Sequence, residues 1–192
     1  MIREVIITTL SKRGVAHVAP MGVHVVADEM LVMPFRPSAT LQNMLETGHA
    51  VMNYCDDVRI FAGCVTGRRE WPLVSSDKGS VPYLAVALAH SELVLTRVED
   101  NEIRPKLFCQ VVHEETHAPF LGFNRAQYSV LEAAILASRL HMLPRSKVES
   151  ELDYLRIGFD KTAGPIEHEA WGWLMARFDA ALSEPSGERG PT

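Results

Sequence analysis

The sequence predicts an α+β fold: an antiparallel β-barrel followed by a helical C-terminal part. Three observations carry this. Up to about residue 117 the chain consists mainly of short apolar, β-branched runs punctuated by turn residues. Those runs lie close together in sequence, which favours antiparallel meander pairing over parallel crossovers. After Pro119 the apolar residues recur at spacings of three and four, the helical period, to about residue 180. Strands first and helices afterwards is the α+β order.

Taken in order, Val5 to Leu10 reads as a first strand, and Ser11-Lys12-Arg13-Gly14 as a turn in which Gly14 can take positive φ. Val15–Val18 and Gly22–Val26 read as two short strands separated by Pro20. Asp28-Glu29 reads as a turn, and Met30–Phe35 as a third strand. Ala39–Thr47 is expected to be a short helix with Leu41, Met44 and Leu45 on one face and Gly48 ending it. His49–Tyr54 returns as a strand. Residues 66–82, polar with two Pro and two Gly, read as a long loop. Leu84–Val98 and Lys106–His117 are expected to be strands around Glu99-Asp100-Asn101. Asn124, with Gln127 three residues on, opens a helix in the manner of a capping box. Its two apolar stripes (Tyr128, Leu131, Ile135, Met142 and Leu136, Leu140, Leu143) predict burial on two sides. Val148, Leu152, Leu155 and Phe159 mark a further helix. Gly164-Pro165 opens another, with Ile166, Ala170, Trp173 and Leu174 inward. The expected organisation is a barrel over residues 1–122, a helical extension over 123–182 packed on it, and a disordered tail over 183–192, polar and rich in Pro and Gly.

The chain has 192 residues, 47% of them hydrophobic, enough for a substantial core. A net charge of -5 without a Lys/Arg cluster gives no electrostatic footprint for nucleic acid or an anionic membrane. No stretch approaches the ~20 apolar residues of a membrane helix. The apolar run at the N-terminus is too short for a signal sequence. Three cysteines without a CxxC pair argue against a disulfide framework. A cytoplasmic protein is expected.

The turn Arg36-Pro37-Ser38-Ala39-Thr40, where a strand meets a helix start, is the candidate for chemistry. Unpaired N–H groups at a helix N-terminus, an Arg and two hydroxyls suit a phosphate. On the same residues Ser38 is equally a plain N-cap and Arg36 a solvated charge.

The run PMGV (20–23), a strand ending in PFRPSAT (34–40) and then LQNMLETGHAVMNY (41–54) resembles the FMN-binding split-barrel proteins, which include the flavin reductases and the pyridoxamine phosphate oxidases. It is most similar to an uncharacterised branch, a domain of unknown function found in archaea and in tetrahydromethanopterin-using bacteria. Asp56-Asp57-Val58 with Phe61-Ala62, GFNRAQYSVLEAAILASR (122–139) and KTAGPIEHEA (161–170) extend the likeness over most of residues 4–175. The resemblance implies a split barrel and a homodimer with FMN at the subunit interface. It implies that Arg36, Ser38 and Thr40 hold the FMN phosphate with Asn43 close by, and that the backbone of Met21, Gly22 and Val23 runs along the isoalloxazine edge. It places Met33, Pro34 and Phe35 beneath the ring, Asn53 on ribityl or ring polar atoms, and Asn124 and Arg125 at the FMN from the long helix. The implied activity is that of an FMN-dependent oxidoreductase, with NAD(P)H or a pterin as reaction partner and a place in one-carbon metabolism. The alternative is a flavin-binding carrier without catalysis. No NAD(P)H-binding motif is recognisable, although split-barrel reductases do not use GxGxxG.

His113-Glu114-Glu115-Thr116-His117 matches HExxH, which on a helix would make a zinc hydrolase. The preceding LFCQVV is β-rich and Pro119 follows at once, so a strand is expected instead. In a strand His113 and His117 share a face but stand ~13 Å apart, and no metal is expected from that pair. His17 and His24 read as structural, and Cys55 has no neighbour that would activate its thiol.

Overall fold

The computed structural model describes residues 1–76 and 78–183. Two compact units emerge: residues 1–56 with 69–121, and residues 57–68 with those from 122 onward. The first is a closed antiparallel barrel of six strands in the order β1 (Ile2–Leu10), β2 (Ala16–Val26), β3 (Glu29–Val32), β8 (Lys106–Thr116), β7 (Ala89–Glu99) and β4 (His49–Tyr54). A separate pair, β5 (Leu73–Val74) and β6 (Tyr83–Leu84), interrupts the segment read as a long loop. Of the expected tail, Ser183 ends the last helix and residues 184–192 lie outside the described residues. Among the described residues no helix is long and apolar enough to cross a membrane.

The barrel core is made by Val5 and Ile7 of β1, Val23 of β2, Val32 of β3, Ala50 and Met52 of β4, Leu93 of β7, and Leu107 and Cys109 of β8. These residues follow the period of two, in which alternate side chains enter one face. Helix α1 (Ala39–Thr47) adds Leu41 and Met44 to the same core, while Leu45, expected beside them, is largely exposed. Gly48 closes α1 with φ 74, and its N–H bonds the Met44 carbonyl.

Several strand boundaries differ from expectation: the run expected as one strand over Leu84–Val98 divides, with Leu84 in β6 and β7 beginning at Ala89. The runs on either side of Pro20 form one strand, β2, with Pro20 opposite Ile6. Only His24–Val26 of β2 pair with β3, so at Pro20 the strand has a single neighbour and a missing N–H is tolerated there. The third strand stops at Val32, and Met33–Phe35 run on irregularly towards Pro37. The turn before it is Ala27-Asp28, with Ala27 at φ 51.

The barrel closes where β1 meets β4, over only Ile6–Thr8 against Val51–Asn53. Asn53 reinforces this short seam. Its Nδ2 donates to the Ile6 carbonyl at 3.0 Å and to Thr8 Oγ1 at 2.9 Å, and its Oδ1 accepts from the Leu84 N–H of β6 at 2.7 Å.

The second unit gathers α3 (Arg125–Ser138), α4 (Arg145–Thr162) and α5 (Pro165–Ser183) with the short α2 (Arg59–Val65). Helix α2 escaped the sequence reading because seven residues are too few for a clear period. Asp57 starts it, accepting from the Arg59 N–H at 3.1 Å and pairing with its guanidinium at 2.7 Å. In α4 the buried set is Val148, Leu152, Leu155 and Phe159, as the spacing predicts. In α3 the buried face is instead the small-residue one (Ala126, Ser129, Val130, Ala133, Ala134, Ala137) with Leu136, while Tyr128 and Met142 are exposed. Small side chains let helices approach closely. Gly158 of α4 lies where a Cβ would come within 3.1 Å of Ser129 Oγ. In α5 Trp171, not Trp173, is buried beside Ala170 and Leu174, stacked on Phe159 at 4.5 Å, and Ile166 is exposed.

If Asn53 holds the barrel seam, Asn53→Leu leaves the buried Leu84 N–H unsatisfied. It should lower stability by about 1–3 kcal/mol, read as a shifted urea midpoint at constant slope. A change within ~0.5 kcal/mol, the usual range of a neutral surface substitution, would show the seam does not rely on it.

Candidate functional site

The N-terminus of α1 is built as both sequence readings require. Ser38 is the N-cap, and its Oγ accepts from the Leu41 N–H at 3.3 Å. The hydroxyl keeps its own O–H to donate. The Gln42 N–H takes the Ser38 carbonyl, so the amides of Ala39 and Thr40 have no partner within the helix. No acidic side chain occupies the first turn to answer the dipole.

Arg36 stands beside this helix start, its side chain 41% exposed and paired with Asp100 at 2.7 Å. An exposed pair of this kind contributes little to stability and leaves the guanidinium exchangeable. A second cation, Arg104, sits against residues 33–35. Arg104 donates to the Met33 carbonyl at 2.9 Å and lies over the Phe35 ring at 4.6 Å, while the Arg36 N–H bonds the Ile103 carbonyl at 2.8 Å. The β7–β8 connection thus folds onto residues 33–36. Arg104 had no local signal in the sequence, because only the barrel pairing brings these segments together.

The other expected site residues divide. Phe35 is 60% exposed, an apolar ring at the surface beside the cations. Met21 and Gly22 are partly buried and Val23 faces the core. A Cβ on Gly22 would meet Ile2 Cγ2 at 3.1 Å and Glu4 Oε1 at 3.2 Å, so here the glycine makes room for β1 side chains. Thr40 and Asn43 are buried, and Asn43 Nδ2 donates to Thr9 Oγ1 at 3.0 Å. Asn53 is fully buried, its Nδ2 bonded to the Ile6 carbonyl and Thr8 of β1 and its Oδ1 to the Leu84 N–H of β6. Asn43 thus ties α1 to β1, and Asn53 ties the seam between β1 and β4. Asn124 lies in the helical unit. Its Oδ1 caps α3 by accepting from Ala126 N at 2.7 Å, and its Nδ2 donates to the Thr162 carbonyl at 3.1 Å, so its amide is likewise engaged. Arg125, next to it, is exposed.

A groove of about 430 Å³ opens elsewhere on the barrel unit, between Ala16 and Val18 of β2 and the segment Arg69–Leu73, and none of the expected residues lines it. The HEETH residues fall on β8 and just beyond it, as the β-rich run predicts, so the helical zinc geometry does not exist. His117 instead approaches His90 of β7, with Nε2 and Nδ1 2.8 Å apart, and Tyr83 stacks on both rings at 4.6 and 4.4 Å. Burial first, and then His117, push His90 below its ordinary pKa, against the pull of Glu92 and Glu115. His17 is lowered by burial and by Arg69. Burial pushes the Cys109 thiol up to about 12, which leaves it unreactive.

Family models for the N-terminal domain and for the remainder of a protein of unknown function, DUF447, match residues 3–118 and 124–176. Among curated proteins none matches the sequence. In three dimensions the chain is similar to an FMN-bound protein of Methanosarcina mazei, itself of the DUF447 family, with TM-score 0.78 and 19% identity over 92% of this chain and 94% of that one. It is also similar to nitrilotriacetate monooxygenase component B of Bacillus cereus, with TM-score 0.53 and 23% identity over 64% of this chain and 73% of that one. A third likeness is flavoredoxin of Methanosarcina acetivorans, with TM-score 0.53 and 14% identity over 63% and 72%. At these identities the likenesses establish the fold.

Two outcomes are expected of this geometry. Ser38→Ala removes the cap and should cost about 1 kcal/mol of stability, Ser38→Gly only a few tenths. Equal effects in denaturant titrations would deny the cap. The His90 ring should titrate by NMR below the ordinary ~6.5. As pH falls through ~6.5 the unfolded chain takes up this proton first, so the stability linked to His90 is fully present above that value and is lost as pH drops towards the folded midpoint. A His90 midpoint at or above the ordinary value would contradict the burial argument.

Proposed function

The chain belongs to the DUF447 family of proteins of unknown function, and from that premise we propose that it is an FMN-binding flavoprotein that works as an oxidoreductase. The observation that carries this reading is the start of α1: two amides without a partner in the helix, no first-turn carboxylate, a capping hydroxyl, and Arg36 beside them with an exposed, exchangeable partner. That donor set fits a phosphate monoester, which offers three strong acceptor oxygens and close to two negative charges. Arg36 would exchange Asp100 for the phosphate, Ser38 would donate its hydroxyl, and the Ala39 and Thr40 amides would complete the cradle. Thr40 enters through its backbone because its side chain is buried.

Phe35 supplies exposed apolar surface next to this cradle, and Met21–Val23 supply strand backbone for the flavin edge. When bound, the flavin supplies hydride and electron transfer, and the protein supplies position, electrostatics and exclusion of water. A homodimer with FMN at its interface is part of the same reading. The finer reading, NAD(P)H as donor and a pterin as acceptor, rests on the family resemblance.

Purified protein mixed with FMN and freed of excess should keep a perturbed flavin absorption band. Arg36→Ala should weaken FMN by roughly 1.5–3 kcal/mol, about ten- to hundredfold, through loss of a charge-assisted contact. Unchanged affinity would place the phosphate elsewhere. Anaerobic NADH or NADPH should then bleach the bound flavin and a dihydropterin should restore it. Retained flavin that no pyridine nucleotide reduces would leave a carrier instead of an enzyme.

A further inference from the structure

The outer face of the barrel between β7 and β8 carries a cluster that the flavin reading does not use. On β7 the core-facing residues are Leu93 and Leu95, so His90 and Glu92 point to the opposite face. On β8 the core-facing residues are Leu107, Cys109 and Val111, which by simple alternation would send residues 113, 115 and 117 inward as well. They do not go inward. The register passes from Leu93 opposite Val111 to Glu92 opposite His113, leaving Val112 as an extra residue on β8. Such a bulge shifts the alternation by one and re-aims the side chains beyond it. His113, Glu115 and His117 are thereby delivered to the face that holds His90 and Glu92.

We infer that His90, His113 and Glu115 form a binding site for a divalent first-row transition-metal ion. One donor atom from each lies within 4.8 Å of the other two. Ligand pairs on a tetrahedral ion with bonds of ~2.0–2.1 Å stand about 3.3 Å apart, so a rotamer adjustment of the outer two side chains closes the set. Those two can adjust: the His113 and Glu115 side chains are 29% and 55% exposed, with Nε2 and Oε2 3.8 Å apart.

The independent sign is His90. Its Nε2 is buried and has no hydrogen-bond partner, and the nearest carboxylate, Glu92 Oε1, stands 3.6 Å off. An orphaned imidazole nitrogen in a buried setting is costly unless something binds it. The other nitrogen, Nδ1, lies 2.8 Å from His117 Nε2, which suits a ring that donates from Nδ1 and offers its Nε2 lone pair to a metal. Stacked Tyr83 fixes the ring plane. The buried Glu92 carboxylate, which accepts from Ser76 Oγ, adds negative charge beside a cation. Two imidazoles and one carboxylate suit Zn²⁺ or Fe²⁺ better than Mg²⁺ or Ca²⁺, and the solvent-facing side leaves coordination positions open.

The test uses full-length, untagged protein dialysed against chelator and titrated with Zn²⁺ by calorimetry, with imidazole NMR signals followed in parallel. One ion per chain is expected, with the His90 and His113 signals shifting and that of the exposed His141 unmoved. His113→Ala and Glu115→Gln, both at solvent-facing positions, should each weaken Zn²⁺ at least tenfold, and the double variant should abolish saturable binding, while His141→Ala changes nothing. Wild type that binds no more Zn²⁺ than the double variant, or an ion that shifts only other histidines, would overturn the assignment and leave the cluster a structural stack.

Discussion

The barrel depends on closing a seam that the backbone barely makes. Three residue pairs join β1 to β4, as few as join β3 to either of its neighbours, against nine between β1 and β2. A sheet that stops there would expose two edges, with unpaired N–H and C=O groups along each. Asn53 makes the difference with a buried side-chain amide that reaches the Ile6 carbonyl, Thr8 and the Leu84 N–H together. Its position also explains the β5–β6 pair, which would otherwise be an idle hairpin: Leu84 presents the N–H that satisfies the Asn53 oxygen. The seam sets where β4 lies, α1 leads straight into β4 through Gly48, and α1 carries the candidate site on its N-terminus.

That dependence redistributes roles among polar residues. A buried amide in a barrel can either face a ligand or complete the fold, and its hydrogen bonds decide which. Asn43 and Asn53 are engaged with Thr9, Thr8 and backbone groups, and Asn124 with the start of α3 and the end of α4. Arg36 differs in kind. Its partner, Asp100, is exposed and interchangeable, so its charge remains available to a ligand. Arg104, from the β7–β8 connection, is engaged instead, donating to the Met33 carbonyl and lying over the Phe35 ring.

Much of this was legible in the sequence, for identifiable reasons. Ser38 and Gly48 mark the ends of α1 through local chemistry, and the spacing of Val148, Leu152, Leu155 and Phe159 fixes the buried face of α4. What escaped depends on contacts distant in sequence. Pro20 looked like a break because its single-neighbour position is visible only in the sheet. The stripe of Tyr128 and Met142 looked like core because size outweighed shape, whereas α3 packs through alanines where Gly158 brings α4 close. The bulge at Val112 has no sequence signature, so the convergence of His90 with His113 and Glu115 was hidden inside a pattern that suggested a different metal site.

Flavin recognition at the start of α1, as proposed, works through the phosphate. The most direct measurement compares the affinities of FMN and riboflavin for the same protein, since the two ligands differ only in that phosphate. FMN should bind at least tenfold more tightly than riboflavin, with a margin that narrows as salt screens Arg36. Equal affinity for the two ligands, or a margin indifferent to salt, would contradict it.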